Sequence, residues 1–179
     1  MIAAAARVRS FAPALPPSPR ALVLGSMPGV ASLQAGQYYA HPRNAFWPLM
    51  QALFGVDAAQ PYAARVAALN AAGVGLWDVL AACEREGSLD SAIAPESVVV
   101  NGIDALLRRH PGLRVVALNG GTAARLFQRH VAPRLDERAA TLRVLALPST
   151  SPAHAARSLA QKLAAWRALP EAMGADGCA

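Results

Sequence analysis

Three short apolar runs, each ending in a turn, constrain this chain most. They are residues 21–25 (ALVLG), 113–118 (LRVVAL) and 141–147 (TLRVLAL). Runs this short and rich in Val and Leu read as strands buried on both faces. Between them lie segments with helical character at 45–54, 62–72, 102–110, from the turn 119–122 to about 130, and at 153–169. Gly55 ends the first of these, and Pro61 sits at the first turn of the second. Residues 73–80 hold a further short strand or turn, and residues 81–95 read as irregular and polar. Strands alternating with helices predict an α/β fold, a parallel sheet with helices on both faces. Ligands bind such sheets beyond the carboxyl ends of the strands. The loops there are 26–44, 119–122 and 148–152, and the first is long for a compact domain.

The chain has 179 residues, 54% apolar and 16% charged, which suits one domain with its own core and excludes a disordered chain. Pro13, Pro16, Pro17 and Pro19 make residues 1–19 an extended arm before a single domain at 20–170, with 171–179 as a flexible tail. No apolar run approaches the roughly 20 residues a membrane span needs. Arg7 and Arg9 interrupt the apolar start before a signal core forms. Cys83 and Cys178 are too few for a four-thiolate metal or iron–sulfur site. A reducing cytoplasm is the expected location.

Several chemistries are excluded by motif. Gly25-Ser26-Met27-Pro28-Gly29 follows a strand but lacks the Gly-Lys-Ser/Thr ending of a phosphate loop, and Lys162 is the chain's single lysine. Neither a Gly-x-Gly-x-x-Gly nor a Gly-x-Ser-x-Gly sequence occurs. His41, His110, His130 and His154 have no metal-ligand spacing, and no close pair of carboxylates suits a sugar glycosidase.

The 23-residue stretch 25–47, GSMPGVASLQAGQYYAHPRNAFW, opens in a way that resembles the first motif of the uracil-DNA glycosylase superfamily. Its end, His-Pro-Arg-Asn-Ala-Phe-Trp, resembles mismatch-specific uracil/thymine glycosylases, and the whole string is most similar to the DNA-deoxyinosine (hypoxanthine-DNA) glycosylases, its family 6. Residues 75–93 (GLWDVLAACEREGSLDSAI), 118–123 (LNGGTA) and 147–153 (LPSTSPA) agree in order and spacing, so the resemblance covers residues 21–169. It implies a three-layer α/β/α sandwich with a four-stranded parallel sheet. It implies a monofunctional glycosylase that flips a deaminated base, chiefly hypoxanthine, from double-stranded DNA and hydrolyses its N-glycosidic bond without cofactor or metal. Many relatives carry Asp or Asn where Met27 stands and His or Asn where Leu147 stands. These two absences, shared with the deoxyinosine family, point away from strong uracil activity. A mismatch uracil/thymine glycosylase and a noncatalytic reader of damaged DNA are the alternatives.

The resemblance assigns catalysis to Asn44, whose amide can place a water at the sugar C1′; the other reading is the N-cap of helix 45–54. Tyr39 is expected to stack on the flipped base, whereas Tyr38 reads as loop packing. Ser26, Met27 and Gly29 are expected to bind the base through backbone N–H groups, with Gly29 giving close approach or positive φ. A Pro-Gly turn alone also accounts for Pro28 and Gly29. Ser149, Thr150 and Ser151 are phosphate ligands near the start of a helix; the other reading has Ser151 cap that helix. Arg43 and Arg157 are further DNA contacts. Protonated His154 can stabilise a leaving base, or be an ordinary surface histidine; His41 shapes its loop. Asp78 and Asn119 read as supports.

The net charge of +6 is unevenly spread. Residues 1–56 hold four Arg and no acid, residues 138–170 hold four Arg, Lys162 and no acid, and residues 57–137 hold eight Arg against nine acids. The excess falls on the segments carrying the two recognised loops, as neutralisation of duplex phosphates requires. A single lysine far in sequence from both loops predicts base removal without strand cleavage. A monomer is expected.

Overall fold

The computed structural model describes residues 6–174. The chain runs β1 (Arg7–Arg9), β2 (Ala21–Gly25), α1 (Val30–Ala35), α2 (Phe46–Phe54), α3 (Tyr62–Ala71), β3 (Val74–Asp78), β4 (Leu80–Glu84), β5 (Val99–Val100), α4 (Ile103–Arg109), β6 (Val115–Asn119), α5 (Gly121–His130), β7 (Arg143–Leu147), α6 (Leu159–Trp166) and α7 (Ala168–Gly174). Four strands form a parallel sheet in the order β3-β2-β6-β7. β2, β3 and β6 are buried along their whole length, as unbroken apolar strands must be to lie inside a sheet covered on both faces.

Successive strand residues point to opposite faces, so the sheet divides the core in two. Ala21, Val23, Val115 and Ala117 pack with Phe46, Trp47 and Trp166 on one face. Leu22, Leu24, Val116 and Leu118 pack with Leu106, Leu107 and Phe127 on the other. The expected three-layer sandwich with four parallel strands is what the structure shows.

The structure departs from the sequence reading in four places. Residues 81–95 are not wholly irregular, because β4 joins β1 and β5 in a small antiparallel sheet. The long loop 26–44 contains α1, ended by Gly36 in the left-handed conformation. The last helix does not start at 153; Ser158 and Gln161 form a capping box that starts it at Leu159. It then breaks near Arg167, since Pro170 has no N–H and its ring crowds the carbonyl of residue 166. Finally, positions 171–174 belong to α7, with Ala172 and Met173 buried. Residues 1–5 and the rest of the expected tail, Cys178 included, lie outside the described residues.

The Pro-rich lead-in lies along the body. Ala14 exchanges both backbone hydrogen bonds with Leu76, Trp77 Nε1 donates to the Phe11 carbonyl, and the Tyr38 hydroxyl donates to the Ala12 carbonyl. Among the described residues no helix is long and apolar enough to cross a membrane.

Candidate active site

A cavity of about 530 Å³ opens beyond the carboxyl ends of β2, β3, β6 and β7. That volume lies within the usual range for a small-molecule cleft. Nine of the eleven residues expected at the site line it. Arg43 and Arg157 do not, and both are exposed.

Asp78 is a buried polar group in the lining. Gly25 and Asp78 are register partners at the ends of β2 and β3. A Cβ at position 25 would lie 2.6 Å from Asp78 Oδ1 and 3.6 Å from the Tyr39 hydroxyl, so glycine there is what admits the carboxylate. Asp78 is buried, and its Oδ2 has no hydrogen-bond partner among the described residues. Burial, reinforced by the nearby Asp90 carboxylate and partly offset by Arg85, pushes its pKa up to about 7. The sequence reading made Asp78 a support; its burial and orphaned oxygen depend on pairing that sequence alone does not reveal.

Tyr39 stacks on Phe46, with ring centroids 3.9 Å apart, and adopts a left-handed backbone with φ of 57°. Its hydroxyl is buried without a partner of hydrogen-bond geometry. The Asn119 amide is the neighbour that favours its ionised form, but burial and Asp78 outweigh this and hold the phenol well above its ordinary pKa. Both ends of that amide are committed to Thr150: Nδ2 donates to Oγ1 at 3.0 Å, and Oδ1 accepts the Thr150 N–H at 2.9 Å. Tyr38 packs in the core, and its backbone carbonyl accepts from Trp47 Nε1.

Asn44 stands one residue before the N-cap of α2, which is Ala45 and not Asn44 as expected; its Oδ1 accepts the Phe46 N–H at 2.9 Å, and it lines the cavity. The adjacent Ala45 N–H donates to the Thr150 carbonyl, which joins this loop to loop 149–151. His41 Nδ1 accepts the Arg43 N–H, so His41 does shape its own turn.

Loop 26–29 is held from below. Ser26 Oγ reaches both Asp90 oxygens, at 2.8 and 2.9 Å, with its one proton shared between them. The Met27 side chain is buried in the core beside Leu22 and Leu24. Gly29 has φ of −73°, so it is not there for a positive φ; a Cβ would lie 3.4 Å from Ser88 Oγ, which leaves close approach. The buried Arg85 donates from Nε to the Gly87 carbonyl and from Nη2 to the Pro28 carbonyl, tying two loops together.

Loop 149–154 forms the opposite part of the lining. Thr150 is buried, and its hydroxyl braces Asn119 instead of facing solvent. Ser149 Oγ and Ser151 Oγ accept backbone N–H groups two residues ahead, and His154 is exposed at the rim. Ser151 does not cap the last helix, a task that falls to Ser158. Gly120, at φ of 101°, lets this loop come close, since a Cβ there would lie 2.9 Å from Ser149 Cβ. Arg125, one turn into α5, also lines the cavity and went unnoticed in the sequence. Its only signal was four-residue spacing from the Gly120-Gly121 turn.

The model of the uracil DNA glycosylase superfamily matches residues 12–170. The chain belongs to that superfamily. A hypoxanthine DNA glycosylase from Methanosarcina barkeri is 38% identical over 113 residues, covering 63% of this chain and 70% of the relative. One of the same description from Methanosarcina acetivorans is 36% identical over 116 residues, covering 64% of this chain and 72% of the relative. The solution NMR structure of a protein described as a uracil DNA glycosylase, from Methanosarcina acetivorans, superposes with a TM-score of 0.77 at 29% identity, covering 94% of this chain and 99% of that one. In this superfamily member the matched span takes in every residue that lines the cavity.

Proposed function

We propose that this superfamily member is a monofunctional DNA glycosylase that takes a deaminated base, chiefly hypoxanthine, out of duplex DNA as the first step of base excision repair, acting as a monomer. The observation that carries the reading is the buried Asp78 carboxyl, which lines the cavity and has an unpartnered Oδ2. A buried polar atom with no partner costs about 1–3 kcal/mol, and a ligand donor removes that cost. Hypoxanthine offers a ring N–H beside a carbonyl. An ionised Asp78 accepts from that N–H. Adenine presents a lone pair at the same ring position, which a carboxylate repels.

In this scheme the duplex yields the nucleotide to the cavity, at a cost of a few kcal/mol of unstacking. Tyr39 supplies a wall through the ring face opposite Phe46. Backbone N–H groups of loop 26–29 bind the base. Asn44 orients a water below C1′. The water oxygen bonds to C1′ as the bond to the base nitrogen breaks. The base leaves with that electron pair and takes up a proton, while the attacking water loses one to solvent. A neutral amide is a weak base, so Asn44 acts by placement, which is effective against an oxocarbenium-like sugar. Ser149, Ser151 and Arg125 lie where phosphates of the flipped nucleotide can be met, with Arg43 and Arg157 as outer contacts and His154 at the rim.

Uracil carries the same N–H beside a carbonyl and is the second substrate to test. Duplexes with single deoxyinosine or deoxyuridine residues are incubated with the protein, and the released base is identified by mass. Release of hypoxanthine above uracil is expected; no release of either, with protein that binds the duplex, overturns the reading.

A further inference from the structure

The two edges of the parallel sheet differ. At β3 the lead-in closes the edge, where Ala14 exchanges both backbone hydrogen bonds with Leu76. At the opposite end, among the described residues, β7 pairs with β6 alone. The outer edge of β7 therefore presents unpaired N–H and C=O groups, a template on which another chain can add as a strand.

The sheet face beside that edge is open as well. Val144 and Ala146 are register partners of Val116 and Leu118, so all four point to one face. Phe127 of α5 packs with Val116 and Leu118, yet Val144 and Ala146 stay exposed, Val144 at 38%. An aliphatic side chain held in water is costly, at about 25 cal/mol per Å². A groove of about 590 Å³ lies here, lined by the apolar Leu118, Ala124, Val144 and Ala146 and by Arg125 and Arg129 of α5. No acidic residue lines it. Among the described residues the one ion pair is Arg108 with Asp104, so neither arginine of the groove has a carboxylate partner. Arg125 gives one N–H to Thr122 Oγ1 at 3.0 Å, and both arginines are exposed.

We propose that this groove docks a partner protein, through an extended segment that adds to β7 as a strand and carries apolar and acidic side chains on its α5 side. Its apolar residues cover Val144 and Ala146, and its carboxylates meet Arg125 and Arg129. Charge complementarity selects this occupant. A second copy of the chain would bring its own arginines to the same contact. Duplex phosphates would satisfy the arginines but leave the aliphatic strip and the free strand edge uncovered. Arg125 also belongs to the cavity lining, whereas Arg129 lies one helical turn, about 6 Å, further along α5. A docked segment thus reaches the side of the cavity without entering it. Docking here does not depend on the glycosylase reading.

The experiment selects a display library of random peptides, each of about a dozen residues to exceed one strand, on the wild-type protein with undamaged duplex DNA in excess. Selected peptides are labelled and titrated against the wild type, Val144→Lys and Arg129→Glu. Both substitutions fall at exposed positions, and thermal unfolding reports that the variants are folded. Alternating apolar and acidic residues should be enriched. Each substitution should weaken binding about 10-fold or more, and so should a proline at the peptide's centre, which removes a ladder hydrogen bond. No enriched peptide, enriched peptides without acidic residues, or equal binding to wild type and both variants overturns the inference. Peptides that are selected only when the duplex is left out would assign the groove to DNA and overturn it too. A wild type that sediments as a dimer, and that Val144→Lys dissociates, would place a second copy there with the same consequence.

Discussion

The Asp78 carboxylate occupies the space that a side chain at Gly25 would fill: a Cβ there would lie 2.6 Å from Oδ1. The two residues are register partners in adjacent parallel strands, so a side chain at position 25 would push the Asp78 carboxylate aside. Gly25→Ala should therefore cost about 1–3 kcal/mol of stability, as overpacking in a close-packed core does. It should also reduce base release, because the displaced group is the one proposed to meet the base. Thermal unfolding and hypoxanthine release measured on the same preparation check this. Unchanged release beside a lowered Tm would detach Asp78 from the chemistry.

Asp78→Asn separates stability from function. A buried carboxyl with an orphaned oxygen is a liability to the fold, so the neutral, isosteric amide should raise the Tm at pH 7 and above while lowering kcat/KM for deoxyinosine duplex. The pH dependence has a definite sign. The folded pKa of about 7 lies above the unfolded value of 3.8, so between these limits the folded state binds more protons than the unfolded one. Wild-type stability therefore contains a contribution that is present at low pH and lost as pH rises from about 4 to about 7, with a ceiling of about 4 kcal/mol at about 1.4 kcal/mol per unit. Asp90 and Arg85 are the charged groups that act on it, in opposite directions. Asp78→Asn should lack this slope. With the carboxylate in the proposed recognition role, wild-type kcat/KM should rise through pH 7, and the variant should show no such rise.

Asn44 carries a hydrogen bond to the start of α2 and a proposed catalytic role, and the two can be pulled apart. Asn44→Ser keeps a side-chain oxygen for the Phe46 N–H, so stability should stay within about 0.5 kcal/mol, whereas Asn44→Ala should lose about 1 kcal/mol with that hydrogen bond. Both should lose about 100-fold or more in turnover, as misplacement of a reacting group by about 1 Å commonly does. Chemical unfolding and single-turnover release are the measurements. If Asn44→Ser turned over like the wild type, Asn44 would serve the start of α2 alone.

The strands that build the site were legible because β2, β6 and β7 are short apolar runs ending in turn residues, a pattern set by local composition. The cavity could be expected for the same reason, since parallel strands send their ends to one side. Other features depended on contacts between distant segments. β4 reads as loop from its own residues and becomes a strand because β1 and β5 flank it. Asp78 looks like one polar residue in an apolar run until the register sets it against Gly25. Thr150 looks like a surface hydroxyl until Asn119, 31 residues away, turns it inward. Arg85 and Asp90 lie in the recognised stretch 75–93 but were not singled out, because their role is to join two loops that meet only in the folded chain.

Lys162 decides whether strand cleavage could accompany base release. It is buried on α6, and burial lowers its amine pKa, which on chemical grounds would make it a better nucleophile. Position outweighs that advantage. Lys162 does not line the cavity, and among the lining residues there is no other lysine to form a Schiff base with the sugar. Borohydride added during turnover should therefore trap no protein–DNA adduct, and the product strand should stay intact until alkali cleaves it. Lys162→Met should leave base release unchanged and raise the Tm, since a buried cation is replaced by an apolar chain of similar length. A borohydride adduct present in the wild type and absent from Lys162→Met would show that the amine reaches the sugar and would overturn base removal without strand cleavage.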